Sequence, residues 1–457
     1  MATKTIFISS FHTLISRNIV RTPVISTLLE NSCRIVLLVP NSKLEYFEKE
    51  FASSTVSVEG VPTGASVRTK RVGILKRLAE ALPNTNRAGM GRKLNFTGSK
   101  KSFFYYFCFY LPAGFLGKSI LAMRLLRQLD YFLSPRGRFY ALFEKYKPDL
   151  VFSTDVQNEH DVSLMQDARK RNIPVVGMVR SWDNVVTRAF RSLPETLIVH
   201  NDIIKQQAMS LYGVSPDRIL VTGIPHYDRY LKGPTEDRTT FFTNTALDET
   251  KKTVLFFPLC DYRIVHDTKG SGNVYTDRVL LEALTAFDGN VIVRFPPNET
   301  VTVEGFVKPK NFFYDRPGIG FGREAITTRE LTALDDDHLI NELVHADIVV
   351  CGPSTVAIDA AIFDRPIIFI NFSSGSKSVG RIFEYQSEHI QNLLKTGGAR
   401  IAENREDLLN YIRQYSAHPS RDASGRRQIV EEQCYKLDGK ASSRVADIVL
   451  KALATHS

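Results

Sequence analysis

Apolar residues fall along the chain in two patterns. Short unbroken runs recur at Thr5–Ser9 (TIFIS), Arg34–Pro40, Asp149–Ser153, Ile173–Val179, Thr196–Val199 and Arg218–Val221. A second series follows at Thr253–Pro258, Asn290–Phe295, Ile348–Cys351 and Pro366–Phe372. Such Val/Ile-rich runs predict parallel strands buried on both faces. Helix-spaced apolar residues separate them at Arg17–Glu30, Asp202–Tyr212, Val274–Phe287 and His338–Val344, and the tail from Asn404 to Ser457 is helical throughout. Strand and helix in alternation predict an α/β protein built of doubly wound sheets. The 457 residues exceed one ordinary domain. The turn-rich Gly223–Asp228 and the polar Gly233–Lys252, which reads as a linker, divide the series. The expectation is a Rossmann-like domain over 1–225, a second over 226–420, and a C-terminal helix over 421–457 packing back on the first. Two such domains are expected to face across a cleft lined by strand carboxyl ends, where ligands bind.

The most informative stretch is Ala346–Phe372. A strand ends at a Gly352-Pro353 turn, and Ser354 and Thr355 stand where the next helix begins. Hydroxyls and free backbone N–H groups at the positive end of a helix suit a phosphate. Asp359 lies one turn beyond Thr355, near the same face, placed to accept hydrogen bonds from ribose or sugar hydroxyls. The plainer alternative is an ordinary capped helix with Asp359 solvated. Arg294 ends another strand, where its guanidinium would fork onto phosphate oxygens or form a surface ion pair. In the first half, strand-end loops carry His12, with Arg17 and Asn18 just beyond, then Asp155, then Arg180, Trp182, Asp183 and Asn184. No GxGxxG follows the first strand, which disfavours a nicotinamide or flavin site.

The formal net charge of +10 admits nucleic acid, anionic lipid or phosphorylated substrates as partners. No nucleic-acid motif is present. Much of the excess lies in Arg68–Lys101, where Glu80 is the only acid. The aromatic run Phe103–Leu111 follows, then Phe115–Leu133 with Lys118, Arg124 and Arg127 interspersed. This is either a core helix pair or an interfacial element that dips aromatics into lipid. The five scattered cysteines form no CxxC and favour a reducing cytoplasm. The N-terminal apolar run is too short for a signal peptide, and no run spans a bilayer.

The Gly352–Ala360 pattern, closed by Asp364-Arg365-Pro366, resembles the donor-binding segment of GT-B glycosyltransferases. It is most similar to CDP-glycerol glycerophosphotransferases and surface-polysaccharide (capsule) transferases, and more loosely to UDP-N-acetylglucosamine 2-epimerases. Ser181-Trp182-Asp183-Asn184, the Gly223–Asp228 crossover and Leu437–Ser442 resemble further segments of the same group. The resemblance implies a GT-B enzyme whose second domain binds a nucleotide-sugar through Arg294, Gly352, Ser354, Thr355, Asp359 and His226. It implies an acceptor side at Arg17, Asn18, Arg180, Trp182 and Asn184. The catalytic candidates are His12 as base, with Asp155 and Asp183 as rivals. No metal or other cofactor is implied, despite Asp335-Asp336-Asp337. The implied acceptor is a cell-surface polysaccharide or lipid-linked glycan, met in the cytoplasm or on the inner face of the plasma membrane. One departure disfavours glycerophosphate transfer: the family's Arg-x-His-Pro reads Arg294-Phe295-Pro296-Pro297 here, and proline carries no proton. Sugar transfer is the leading expectation. Glycerophosphate transfer, sugar-nucleotide 2-epimerisation and non-catalytic nucleotide-sugar binding are the alternatives.

Overall fold

A computed structural model describes residues 3–63, 70–94, 103, 104, 106–135, 137–260, 276–299, 301, 303–321, 329–372 and 383–455. The chain forms two compact units, Met1–Leu231 with Cys434–Ser457, and Lys232–Gln433. These divisions fall later than the expected 225/226 and 420/421. Tyr227 and Tyr230 are buried in the first unit, where Arg17 donates to the Tyr230 hydroxyl at 2.6 Å. The Ala423–Cys434 helix stays in the second unit up to Gln433, and there the fully buried Arg426 donates to Asp364.

The first unit holds seven parallel strands: β1 (Lys4–Ser9), β2 (Cys33–Pro40), β3 (Val56–Val61), β4 (Leu150–Ser153), β5 (Val175–Met178), β6 (Thr196–Val199) and β7 (Ile219–Val221). Their order is β3-β2-β1-β4-β5-β6-β7, with Ile6 beside Ile35 and Leu150. The order reverses between β1 and β4, so a crevice opens at their carboxyl ends. β3 escapes the search for apolar runs because it alternates, Val56 and Val58 inward and Ser57 and Glu59 outward. The predicted Arg17–Glu30 helix is split. Pro23 has no N–H to continue it, so Ser16–Val20 closes as a π turn and a new helix runs Pro23–Glu30. That helix packs against the last one, Ala441–Thr455, whose Val445, Val449 and Leu453 join the core under the sheet.

The second unit holds β8 (Thr253–Phe256), β9 (Asn290–Arg294), β10 (Phe312–Asp315), β11 (Ile348–Cys351), β12 (Ile367–Ile370) and β13 (Ala399–Ala402). All pair in parallel, in the order β10-β9-β8-β11-β12-β13. Here the reversal lies between β8 and β11. The supposed linker contains a helix, Arg238–Thr245, capped by Asp237 and anchored by the buried Phe241 and Phe242. Two aromatics within a polar composition were enough to dock it. The helix expected at His338 starts earlier, at Ala333. Asp335 is its capping-box residue with Thr332, and its other oxygen accepts the Gly318 N–H at 2.9 Å. This member of the aspartate triplet is a structural cap.

Candidate functional site

In the first unit, the β1/β4 switch point gathers side chains from the loops after β1, β2, β4 and β5. His12 caps the turn after β1, its Nδ1 accepting the Leu14 N–H at 3.2 Å. Burial holds its pKa well below the ordinary histidine value, and repulsion by Arg180, Lys43 and Arg188 lowers it further. A neutral imidazole accepting at Nδ1 carries its proton on Nε2, so with Nδ1 turned to the Leu14 N–H the ring offers a donor at Nε2.

Asp155, at the end of β4, is buried, and its Oδ2 lies 3.3 Å from Nε of Arg180. Burial raises its pKa, the two guanidiniums of Arg180 and Arg188 oppose the rise, and Asp183 adds to it. Asp155 is thus a buried carboxylate of raised basicity. The Asn184 side-chain oxygen accepts weakly from Arg180 at 3.5 Å, so Asn184 orients the guanidinium. Asp183 is half-buried in the same loop.

Trp182 is corrected more sharply. It is 6% exposed, so its ring is part of the packing under this loop and offers no stacking face to a sugar. Arg17 and His226 form a separate group. His226 stacks at 4.3 Å on Tyr227, within a cluster completed by Tyr230, the partner of Arg17. Burial, then Arg17 and His200, holds its pKa well below the ordinary histidine value. His226 therefore belongs to the first unit, not to the second domain where it was expected. Asn18 is half-buried in the π turn with Arg17.

Three groups here were not foreseen. Lys43 follows β2 and donates to Thr13. Arg188 lies just beyond Asn184. Asp161 stands in the first turn of the Glu159–Arg169 helix. It is buried, accepts Ser153 Oγ at 2.8 Å and Ser9 Oγ, and burial followed by repulsion from Asp155 pushes its pKa up to about 7. Only the strand order identifies Lys43, since it brings the β2 loop beside that of β1.

In the second unit, the β8/β11 switch point is occupied by Gly352–Thr355. A side chain at Gly352 would come within 2.3 Å of Leu259 Cδ2 and displace that side chain where the loops after β8 and β11 meet. The β8 loop is fixed by Asp277, which accepts the N–H groups of Leu259 at 2.6 Å and Cys260 at 2.9 Å. The helix runs Val356–Ile362. Thr355, at its N-cap, is exposed and makes no side-chain capping bond; Ser354 is half-buried. Asp359 does not share their exposure. At 4% exposed it is buried along with Ala357, Ile358 and Ala360, and it adds to the rise that burial imposes on the Cys351 thiol's pKa. Asp359 therefore does not stand solvated at the helix start.

Arg294 is also corrected. It is buried at the end of β9, ion-paired to Asp315 and to Glu342 at 3.0 Å, and its Nη2 donates to the Asp335 carbonyl at 2.7 Å. Its donors are committed to the fold. Two carboxylates beside one guanidinium leave Glu342 short of compensation, and burial pushes its pKa up to about 8.

Residues 324–451 match the family model of CDP-Glycerol:Poly(glycerophosphate) glycerophosphotransferase. That segment takes in Gly352–Asp359 and Leu437–Ser442 and leaves out Arg294. No curated protein matches the chain. Among solved structures, the UDP-GlcNAc 2-epimerase of Neisseria meningitidis bound to UDP-GlcNAc is 12% identical with a TM-score of 0.53, over 98% of this chain and 100% of that one. The MnaA–UDP structure of S. aureus gives 12%, 0.53, 99% and 97%. The wall teichoic acid polymerase TagF gives 13%, 0.50, 99% and 89%. At such identities the likeness is one of fold. The protein has the GT-B fold of two Rossmann-like units. The segment that resembles the glycerophosphotransferase family begins in the second unit and runs into the C-terminal helix of the first.

Proposed function

We propose that the protein is a glycosyltransferase that moves a sugar from a nucleotide-diphosphate donor to a cell-surface polysaccharide or lipid-linked acceptor. The observation that carries this is the Gly352–Thr355 turn, which stands at the switch point of the second sheet and inside the glycerophosphotransferase-like segment. Ser354 and Thr355 offer hydroxyls and backbone N–H groups to the donor's diphosphate. On the acceptor side Asp155 takes the proton of the attacking hydroxyl, while His12 donates to a substrate oxygen. The new bond joins that oxygen to the sugar carbon, and the carbon–oxygen bond to the nucleoside diphosphate breaks. Arg180 and Arg188 hold Asp155 and favour an acceptor that bears negative charge.

Sugar transfer is preferred to glycerophosphate transfer because Pro296 has no proton to exchange. No metal and no cofactor beyond the donor is part of the proposal, so a chelator leaves turnover unchanged. A lipid-linked acceptor implies a cytoplasmic enzyme working at the inner face of the plasma membrane.

Calorimetric titration with UDP and CDP tests the donor site. Ser354→Ala with Thr355→Ala is expected to weaken binding of the preferred nucleotide at least tenfold without moving the thermal midpoint, since Thr355 is exposed. Unaltered affinity would end the assignment. The 2-epimerase reading, which the likeness to the Neisseria meningitidis enzyme favours, is separated by incubating the protein with UDP-GlcNAc alone. NMR detection of the 2-epimer establishes it.

A further inference from the structure

The Ile120–Leu133 helix is built inside out. Leu121 (64% exposed), Leu125, Leu129 and Phe132 (67% exposed) recur at helical spacing along its outer face. Its inner face buries Met123 and Leu126 together with a carboxylate, Asp130. Asp130 is neutralised by Arg191 at 2.5 Å and further bonded by Ser134 at 2.7 Å and Gln166 at 2.8 Å. A soluble helix does the opposite, hiding its leucines and leaving charge in water. The preceding segment continues the surface, with Phe104, Phe107 and Phe115 exposed. So large a contiguous apolar patch marks an interaction surface.

We infer that this outward face is a docking surface for an anionic lipid bilayer. Charge selects the occupant. From Phe103 to Pro135 the only acid is Asp130, which is buried, while Lys118 and Arg124 are exposed beside the leucines. The Lys70–Ala81 helix packs against this helix and exposes Ile74 and Arg77, the same pairing of apolar and basic. Long basic side chains reach headgroups while their neighbours enter the acyl boundary. Lys118 already lies 5.8 Å from the centre of the Phe115 ring.

Geometry selects the mode. Among the described residues no single helix is long and apolar enough to cross a membrane. Tyr106–Leu116 and Ile120–Leu133 satisfy length and composition only together, and they meet at 114°. The 14-residue helix is about 21 Å long, short of the roughly 30 Å hydrocarbon core. It lies in the interface. The inference rests on the lipid-linked acceptor for its purpose only, since docking needs no turnover.

The test is sedimentation of the full chain with vesicles of phosphatidylcholine and phosphatidylglycerol, three to one, against phosphatidylcholine alone. The protein is expected to sediment with the anionic vesicles at low ionic strength. It is released in about 1 M salt, where the screening length is about 3 Å. Lys118→Gln with Arg124→Gln should weaken binding about 25-fold, at about fivefold per basic residue. Leu121→Ser, Leu125→Ser and Leu129→Ser together should abolish it. If the serine variant fails to fold, the glutamine pair decides. Ser354→Ala with Thr355→Ala should bind vesicles as the wild type does, which separates this inference from the transferase reading. A wild type indifferent to anionic vesicles overturns the inference. So does self-association that the serine variant disperses without lipid, which would make the face an interface between copies.

Discussion

Asp130 accepts a hydrogen bond from Nε of Arg191 at 2.5 Å, and both side chains are buried. Removing one partner leaves the other charge buried and uncompensated. Asp130→Ala should therefore destabilise the protein by about 3–5 kcal/mol, whereas Asp130→Leu with Arg191→Met should recover most of that. Urea unfolding of the two variants measures the difference; equal losses in both would show that the pair's surroundings, not its charge, hold the helix.

Asp161 links stability to pH. Its folded pKa of about 7 stands above the ordinary aspartate value of 3.8. The native protein therefore keeps a proton that the unfolded chain releases. Stability is full below the unfolded value and falls as pH rises from about 4 to about 7, by at most about 1.4 kcal/mol per pH unit for this group. Asp161→Asn removes that slope, and the variant gains on the wild type as pH increases. Glu342 acts in the same direction over a window reaching about pH 8. Urea midpoints of wild type and Asp161→Asn at pH 5 and pH 8 test this, and parallel curves would refute it.

Asp155 and His12 separate in activity. Asp155→Asn should lower kcat by about 100-fold or more, with no loss of stability, because the buried site already disfavours the charge. His12→Gln should retain more activity than His12→Ala, since an amide can replace the Nε2–H donor. If both His12 variants are equally inactive, the ring is used as a base after all.

Arg426 anchors the second unit. Fully buried, it donates to Asp364 at 2.7 Å, to the Arg421 carbonyl at 2.7 Å and to the Pro419 carbonyl at 3.0 Å. Asp364 sits at φ +52°, a left-handed conformation that this contact helps to hold. Arg426→Ala should cost about 3 kcal/mol through the cavity and the stranded carbonyls. Arg426→Lys should rescue little, for want of a fork of donors. Thermal unfolding checks both.

Continuous apolar runs determined most of this protein from sequence. Ten strands and the Gly352–Thr355 turn were legible because backbone pairing and burial on both faces leave a local imprint. The alternating β3 and the polar-looking Arg238–Thr245 helix left almost none. The site was legible as loops but not as roles. Asp155, Arg180 and Asn184 lie where strand order sends them, yet nothing local distinguishes Trp182 packed from Trp182 displayed. Asp359, Arg294 and Asp161 were settled by how far each helix or strand end is rotated toward the sheet, and by which oppositely charged groups come to it from distant parts of the chain. Lys43 and Arg188 enter only through proximity. The composition of Phe103–Leu133 allowed both a core and a surface reading. The tertiary structure decided for the surface: the inward face of Ile120–Leu133 holds Met123, Leu126 and the Asp130–Arg191 pair, and Leu121, Leu125, Leu129 and Phe132 are left outside.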